Sequence, residues 1–154
     1  MTIRLIVFLC LNFAALALGG MYTGKGVVSD WYMQLHKAPW TPPGWVFGFA
    51  WTSIMVCFSI YMAMLWPQIA NKPPLLLLYA VQWLLNVLWN PVFFKYHALG
   101  TGLLIIIALN LLVVYLLWRY WPTLGYKSLL ISPYAIWLLI ATSLNAYAYL
   151  VNRG

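Results

Sequence analysis

Charged residues divide this chain into long uncharged stretches, and that spacing decides the solvent it folds in. Nine of 154 residues carry a formal charge. No charge lies between Arg4 and Lys25, Lys37 and Lys72, Lys72 and Lys95, Lys95 and Arg119, or Lys127 and Arg153. A helix needs about 20 mostly apolar residues to cross a bilayer core roughly 30 Å thick. Each of the five gaps is long enough for one crossing. In lipid the backbone must satisfy its own hydrogen bonds, which leaves helices or a closed barrel. The apolar runs are continuous rather than alternating, which selects helices.

The predicted fold is therefore an all-α, polytopic membrane bundle of five transmembrane helices, forming one domain over residues 1–154. The helices are expected near 4–22, 43–66, 74–94, 101–121 and 128–151, with a long first loop over 23–42. The start of the chain has some features of a cleavable signal peptide, but its apolar run continues past Gly20, so a retained helix is expected. Pro42 and Pro43 suit the first turn of the second helix, Pro67 should end it, and Pro122 should end the fourth. Pro91 should bend the last turn of the third. In the first loop, Trp31, Tyr32, Met33 and Leu35 could form a short interfacial helix. A loop of this length in a compact bundle is usually functional. Ala15 and Gly19 form a small-xxx-small pair, which suits either packing within the chain or a dimer contact.

The net charge of +7 comes from eight Lys and Arg against Asp30 alone. The cations stand singly at segment ends, where lipid head groups lie, and form no patch for nucleic acid. Antiparallel neighbours put Arg4, Lys72, Arg119 and Lys127 on one side and Lys25, Lys37, Lys95 and Arg153 on the other. That balance assigns no orientation. Cys10 and Cys57 are expected to be small buried hydrophobes.

A single acidic residue excludes paired-carboxylate chemistry and leaves no usable triad. No metal-ligand spacing and no phosphate loop appears, so no metal site and no obligatory cofactor is predicted. The spans carry no ionisable group of the kind that ion-coupled pumps need. Binding or passage of an apolar, aromatic ligand remains, beside a purely structural scaffold.

Aromatic residues make up 18% of the chain. Trp66, Trp118, Tyr120 and Trp121 lie at segment ends and read as interface anchors. Others lie mid-helix. Gln82, Asn86 and Asn90 recur at i, i+4, i+8, so one face of the third helix carries three amides, with Trp89 and Phe93 beside it. An amide facing lipid is costly, so this stripe should look inward, as interhelical glue or as a pocket wall. Tyr134, Trp137, Ala141 and Leu144 share a face of the fifth helix, and Phe47 and Trp51 one of the second. Three such faces could enclose an apolar cavity with a few placed donors, or simply pack.

Several motifs resemble one family. Trp31-Tyr32-x-x-Leu35-x-Lys37, Trp40-Thr41-Pro42-Pro43-Gly44-Trp45-Val46-Phe47 and Ala50-Trp51-Thr52 resemble the first loop and second helix of the TspO/MBR family. This is the family of tryptophan-rich sensory proteins and the translocator protein, the peripheral-type benzodiazepine receptor. Leu85-Asn86-x-x-Trp89-Asn90-Pro91-Val92-Phe93-Phe94 resembles its third helix. Pro133-Tyr134-x-x-Trp137, Ala141-Thr142 and Leu144-Asn145 resemble its fifth. The chain departs in reading Lys37-Ala38-Pro39, where many members place proline directly after the lysine, and in Asn90, where some have Ser or Thr.

The resemblance implies a five-helix bundle, often a homodimer, in a bacterial cell membrane or the mitochondrial outer membrane. It implies binding of protoporphyrin IX or haem, and of isoquinoline carboxamide or benzodiazepine ligands, by Trp31, Tyr32, Phe47, Trp51, Asn86, Asn90, Phe93, Trp137, Ala141 and Leu144. It also implies a role in porphyrin handling or stress sensing. Light-dependent porphyrin breakdown, with Trp51 and Trp137 as photochemical candidates, is an alternative use of the same site. A loose sterol pattern falls on Leu144, Tyr147 and Arg153.

Overall fold

The computed structural model describes residues 1–152, and among these all regular structure is helical. The helices are α1 (Thr2–Gly26), α2 (Asp30–Gln34), α3 (Gly44–Leu65), α4 (Lys72–Phe94), α5 (Leu99–Leu124) and α6 (Ser132–Val151). Short 3-10 segments occupy Trp66–Gln68 and Gly125–Ile131. Five helices are long. The shortest, α6, has 20 residues, and at about 1.5 Å per residue it matches a hydrocarbon core of roughly 30 Å. Four helical stretches are long and apolar enough to cross a membrane. The last of them, Leu99–Val151, has 53 residues and holds two crossings, α5 and α6. It reverses at Gly125, whose φ of 57° favours a residue without Cβ.

The five long helices close into a ring. α1 lies against α3 and α4, α4 against α5, α5 against α6, and α6 against α3. Short connections make chain neighbours antiparallel, so α1 and α4 run parallel. Their register is fixed by contacts that advance together along both helices: Phe8 with Tyr79, Thr23 with Asn90, and Gly26 with Phe94. Gly19 permits this approach, since a Cβ there would fall 2.5 Å from Asn90 Nδ2. The Ala15–Gly19 face is thus buried within the chain, against its own fourth helix.

Buried polar groups tie the ring together. Tyr79 donates to Asn12 Oδ1 at 2.7 Å, and Asn12 Nδ2 donates to Ser59 Oγ at 2.8 Å, linking α4, α1 and α3. Trp83 Nε1 donates to the Leu11 carbonyl, and Tyr61 donates to that of Leu116. Phe58, Tyr61, Met62, Leu116 and Leu138 fill the centre. Leu104, Leu111, Trp118 and Leu139 point outward as an apolar belt, which suits lipid as solvent.

Several element boundaries and side-chain positions differ from expectation. α1 continues through Gly20 and Gly24 to Gly26. α3 begins at Gly44, so Pro42 and Pro43 precede its first turn instead of forming it. It ends at Leu65, and Pro67 falls in the 3-10 turn that follows. Pro122 lies inside α5, since proline removes one donor but need not stop a helix packed among others; Pro91 lies in the last turn of α4, as expected. The chain between Lys127 and Ile131 is 3-10, so α6 starts later than the sequence suggested. Cys10 is exposed on the outer face of α1 rather than buried, because that face meets lipid and not core. Tyr120 packs into the core and is not an interface anchor.

Candidate functional site

The segment between α1 and α3 lies across one end of the bundle. Its helix α2 starts where Ser29 Oγ accepts from the Tyr32 backbone N–H, with Asp30 in the first turn facing the positive helix end. Trp31 stacks on His97 with centroids 4.0 Å apart and meets Phe93 edge-on at 5.7 Å. His97 holds a φ of 54°, a costly conformation for a residue other than glycine, in the turn between α4 and α5. Tyr32 packs against Phe94 at 5.6 Å. Lys37 donates to the Tyr32 carbonyl and sits 4.2 Å from its ring centroid. Further along, His36 and Asn152 exchange backbone–amide hydrogen bonds, both 3.1 Å. Trp40 donates from Nε1 to Ser143 Oγ and meets Tyr147 edge-on. The loop is thereby fastened to α4, to the α4–α5 turn and to α6. Burial pushes the Tyr32 hydroxyl above its ordinary 10.0, which favours the neutral form. Any stabilisation from it is complete below that pH and is lost as pH rises from 10.0 through the raised value.

Deeper in the bundle, Phe47 meets Trp137 edge-on at 5.3 Å, and Trp51 meets Tyr134 at 6.0 Å. Gln82 Nε2 donates to the Tyr134 hydroxyl at 2.8 Å. Among the described residues, three buried polar atoms here and nearby have no partner: Trp137 Nε1, Gln82 Oε1 and Thr142 Oγ1. A buried polar group without a hydrogen bond costs about 1–3 kcal/mol, and such groups are few in folded proteins.

Trp89 joins the loop-side and deep clusters, packing against both. It stacks on Phe93 at 4.9 Å and donates from Nε1 to Asn145 Oδ1 at 3.1 Å. Asn145 Nδ2 in turn donates to the Leu99 carbonyl. Trp89, Tyr134 and Asn145 are thus central to the cluster, although the ligand set implied by the family resemblance omitted them. Their signal was a tryptophan, a tyrosine and an amide on the faces already singled out. What was missing was the register between helices.

The predicted residues separate into groups. Trp31, Tyr32 and Phe93 lie in the loop-side cluster, and Phe47, Trp51, Trp137 and Ala141 pack on the deep core. Asn86 is buried in α4 between Gln82 and Asn90. Asn90 turns away: its Oδ1 accepts from Thr23 at 2.7 Å and its Nδ2 donates to the Asn86 carbonyl. The amide stripe winds because each four-residue step overshoots a full turn by about 40°. Gln82 therefore faces α6 while Asn90 faces α1. Leu144 is half-buried on α6, and Tyr147 lies beside Trp40. Arg153, the last residue of the sterol pattern, lies outside the described residues.

Chemically, this arrangement can hold a flat apolar body by ring contacts and offer it one indole N–H. It lies inside a polytopic membrane bundle. A model of the TspO/MBR family matches residues 6–150. The chain is 37% identical over 123 residues to the tryptophan-rich sensory protein of Cereibacter sphaeroides, covering 80% of this chain and 77% of that one. It is 33% identical to the tryptophan-rich protein TspO of Archaeoglobus fulgidus, over 99% of both. It is 30% identical to the translocator protein of Bos taurus, over 83% of this chain and 78% of that one. The chain belongs to the TspO/MBR family of membrane proteins.

Proposed function

We propose that this protein is a membrane receptor of translocator type that binds a tetrapyrrole, protoporphyrin IX or haem, within the bundle between α3, α4 and α6. The observation that carries the proposal is Trp137. Its ring is buried against Phe47, and its indole N–H has no acceptor among the described residues. A ligand carboxylate or carbonyl supplies the missing acceptor, and the macrocycle supplies a π-face for the surrounding rings. Gln82 Oε1 and Thr142 Oγ1 add two further sites for polar ligand groups. The loop carrying Trp31 and Tyr32 covers the end of the bundle and limits access. The names of the relatives, sensory protein and translocator protein, agree with binding and handling of a ligand rather than with acid–base turnover.

Titration of the purified protein with protoporphyrin IX, read by tryptophan quenching, tests this. Saturable quenching in the micromolar range is expected. Trp137→Phe should weaken it at least tenfold, while Trp83→Phe, whose indole N–H is already committed to Leu11, should not. No saturable quenching, or equal affinity in Trp137→Phe, would sink the proposal.

A further inference from the structure

A second feature lies on the outer face of the bundle, toward the end opposite the first loop. Between α1 and α4 runs an outward-opening groove of about 330 Å³, lined by Ile3, Arg4, Val7, Phe8, Leu11, Trp66, Leu76 and Tyr79. Its wall is almost entirely carbon. The one hydroxyl in it, that of Tyr79, is turned inward to Asn12. Phe8 holds the wall in place, meeting Tyr79 edge-on at 5.3 Å and Trp66 at 6.0 Å.

The exception is Arg4. It is half-buried at the mouth of the groove and has no hydrogen-bond or ion-pair partner among the described residues. A guanidinium near the bilayer surface is strongly disposed to take a phosphate in bidentate fashion. Beside it, the Lys72 ammonium is held by the Trp66 and Ile69 carbonyls and lies 5.4 Å from the Trp66 ring centroid. Arg119 and Lys127 lie at the same end, at the close of α5 and in the 3-10 segment after it. The only carboxylate side chain of the protein, Asp30, is in α2 at the other end. This end is therefore cationic with nothing acidic to receive the amine of a choline or ethanolamine head group.

We infer that the α1–α4 groove is a binding site for one anionic phospholipid. Its phosphate lies on Arg4, and one acyl chain runs along Val7, Phe8, Leu11 and Tyr79 toward the bilayer centre. The head group is selected by charge and the chain by the apolar wall. None of these residues belongs to the aromatic site.

Mass spectrometry of the intact protein released from mixed micelles holding equal phosphatidylglycerol and phosphatidylcholine tests the assignment. One retained phosphatidylglycerol per chain is expected, in at least fivefold preference over phosphatidylcholine. Arg4→Ala should abolish the preference, and Arg4→Lys should retain part of it. Arg119→Ala, a cation at the same end but outside the groove, should leave it unchanged. Leu76→Trp, which fills the groove from an exposed position, should lose retained lipid altogether while helicity by circular dichroism stays intact. Equal retention of both lipids by the unsubstituted protein, or undiminished preference in Arg4→Ala, would overturn the inference. So would lipid retained as before in folded Leu76→Trp.

Discussion

The two sides of α4 show opposite ways of treating buried polarity. On the side facing α1, the polar groups at the contact are paired. Asn12 is held by Tyr79 and Ser59, Asn90 by Thr23, and the Trp83 indole by Leu11. Glycines let the two backbones close. On the side facing the bundle interior, Gln82 keeps an atom unpaired among the described residues; beyond it, rings of α3 and α6 meet edge-on and Trp137 on α6 keeps another. The first surface behaves as a finished interface, in which hydrogen bonds between helices contribute modestly and close packing contributes most. The second has the rings and unmatched polar atoms of a surface that acquires its last partner from outside. The same residue types serve both, so chemistry alone does not tell them apart; the direction each side chain faces does.

Substitutions on the two sides should therefore separate stability from binding. The largest effect is expected at Gly26, where any Cβ would enter the space of the Phe94 ring. Gly26→Leu should lower stability by about 3 kcal/mol, the upper range for overpacking, seen as a reduced thermal midpoint in detergent. Trp137→Phe should lower porphyrin affinity by about 2 kcal/mol, the worth of a hydrogen bond to a charged group, and should lower the thermal midpoint only by the packing cost of a smaller ring, because its N–H has no partner among the described residues. If instead the midpoint falls and affinity holds, the contrast between the two surfaces is broken. Asn12→Ala should do the reverse, removing about 1 kcal/mol of stability with no change in porphyrin titration. Ala141→Thr should have the smallest effect. It crowds the wall one turn from Trp137 and should weaken bulky ligands by up to about 1 kcal/mol, read in competition titrations. Unchanged competition would remove Ala141 from the wall.

Much of the architecture was legible in the sequence because membrane crossings follow from charge spacing alone. Helix ends were less so. Pro122 reads as a stop by local rules, but α5 carries on past it to Leu124. The inner and outer faces of each helix were harder still, since both are apolar, one for core and one for lipid. Cys10 and Tyr120 were misplaced for that reason. In the site, pairs within one helix face, such as Trp89 with Phe93, followed from helical spacing. Pairs between helices did not. Trp89 reaches Asn145 across 56 residues of chain, and nothing local specifies the relative heights of α4 and α6. Asn12 stood as a lone amide in an apolar run, and its role emerged only with Tyr79 and Ser59 around it. Asn90, two turns from Gln82 on the same stripe, was carried to the other side by helical drift.

The central claim concerns one proton. Nitrogen–proton correlation spectra of protein labelled at the indole nitrogens follow each Nε1–H separately. On adding protoporphyrin IX, the Trp137 Nε1–H should move downfield in saturable fashion as it gains an acceptor, while that of Trp83, bonded to Leu11 on the α1 side, stays near its starting position. A stationary Trp137 resonance at saturating porphyrin, with Trp83 moving in its place, would contradict the account.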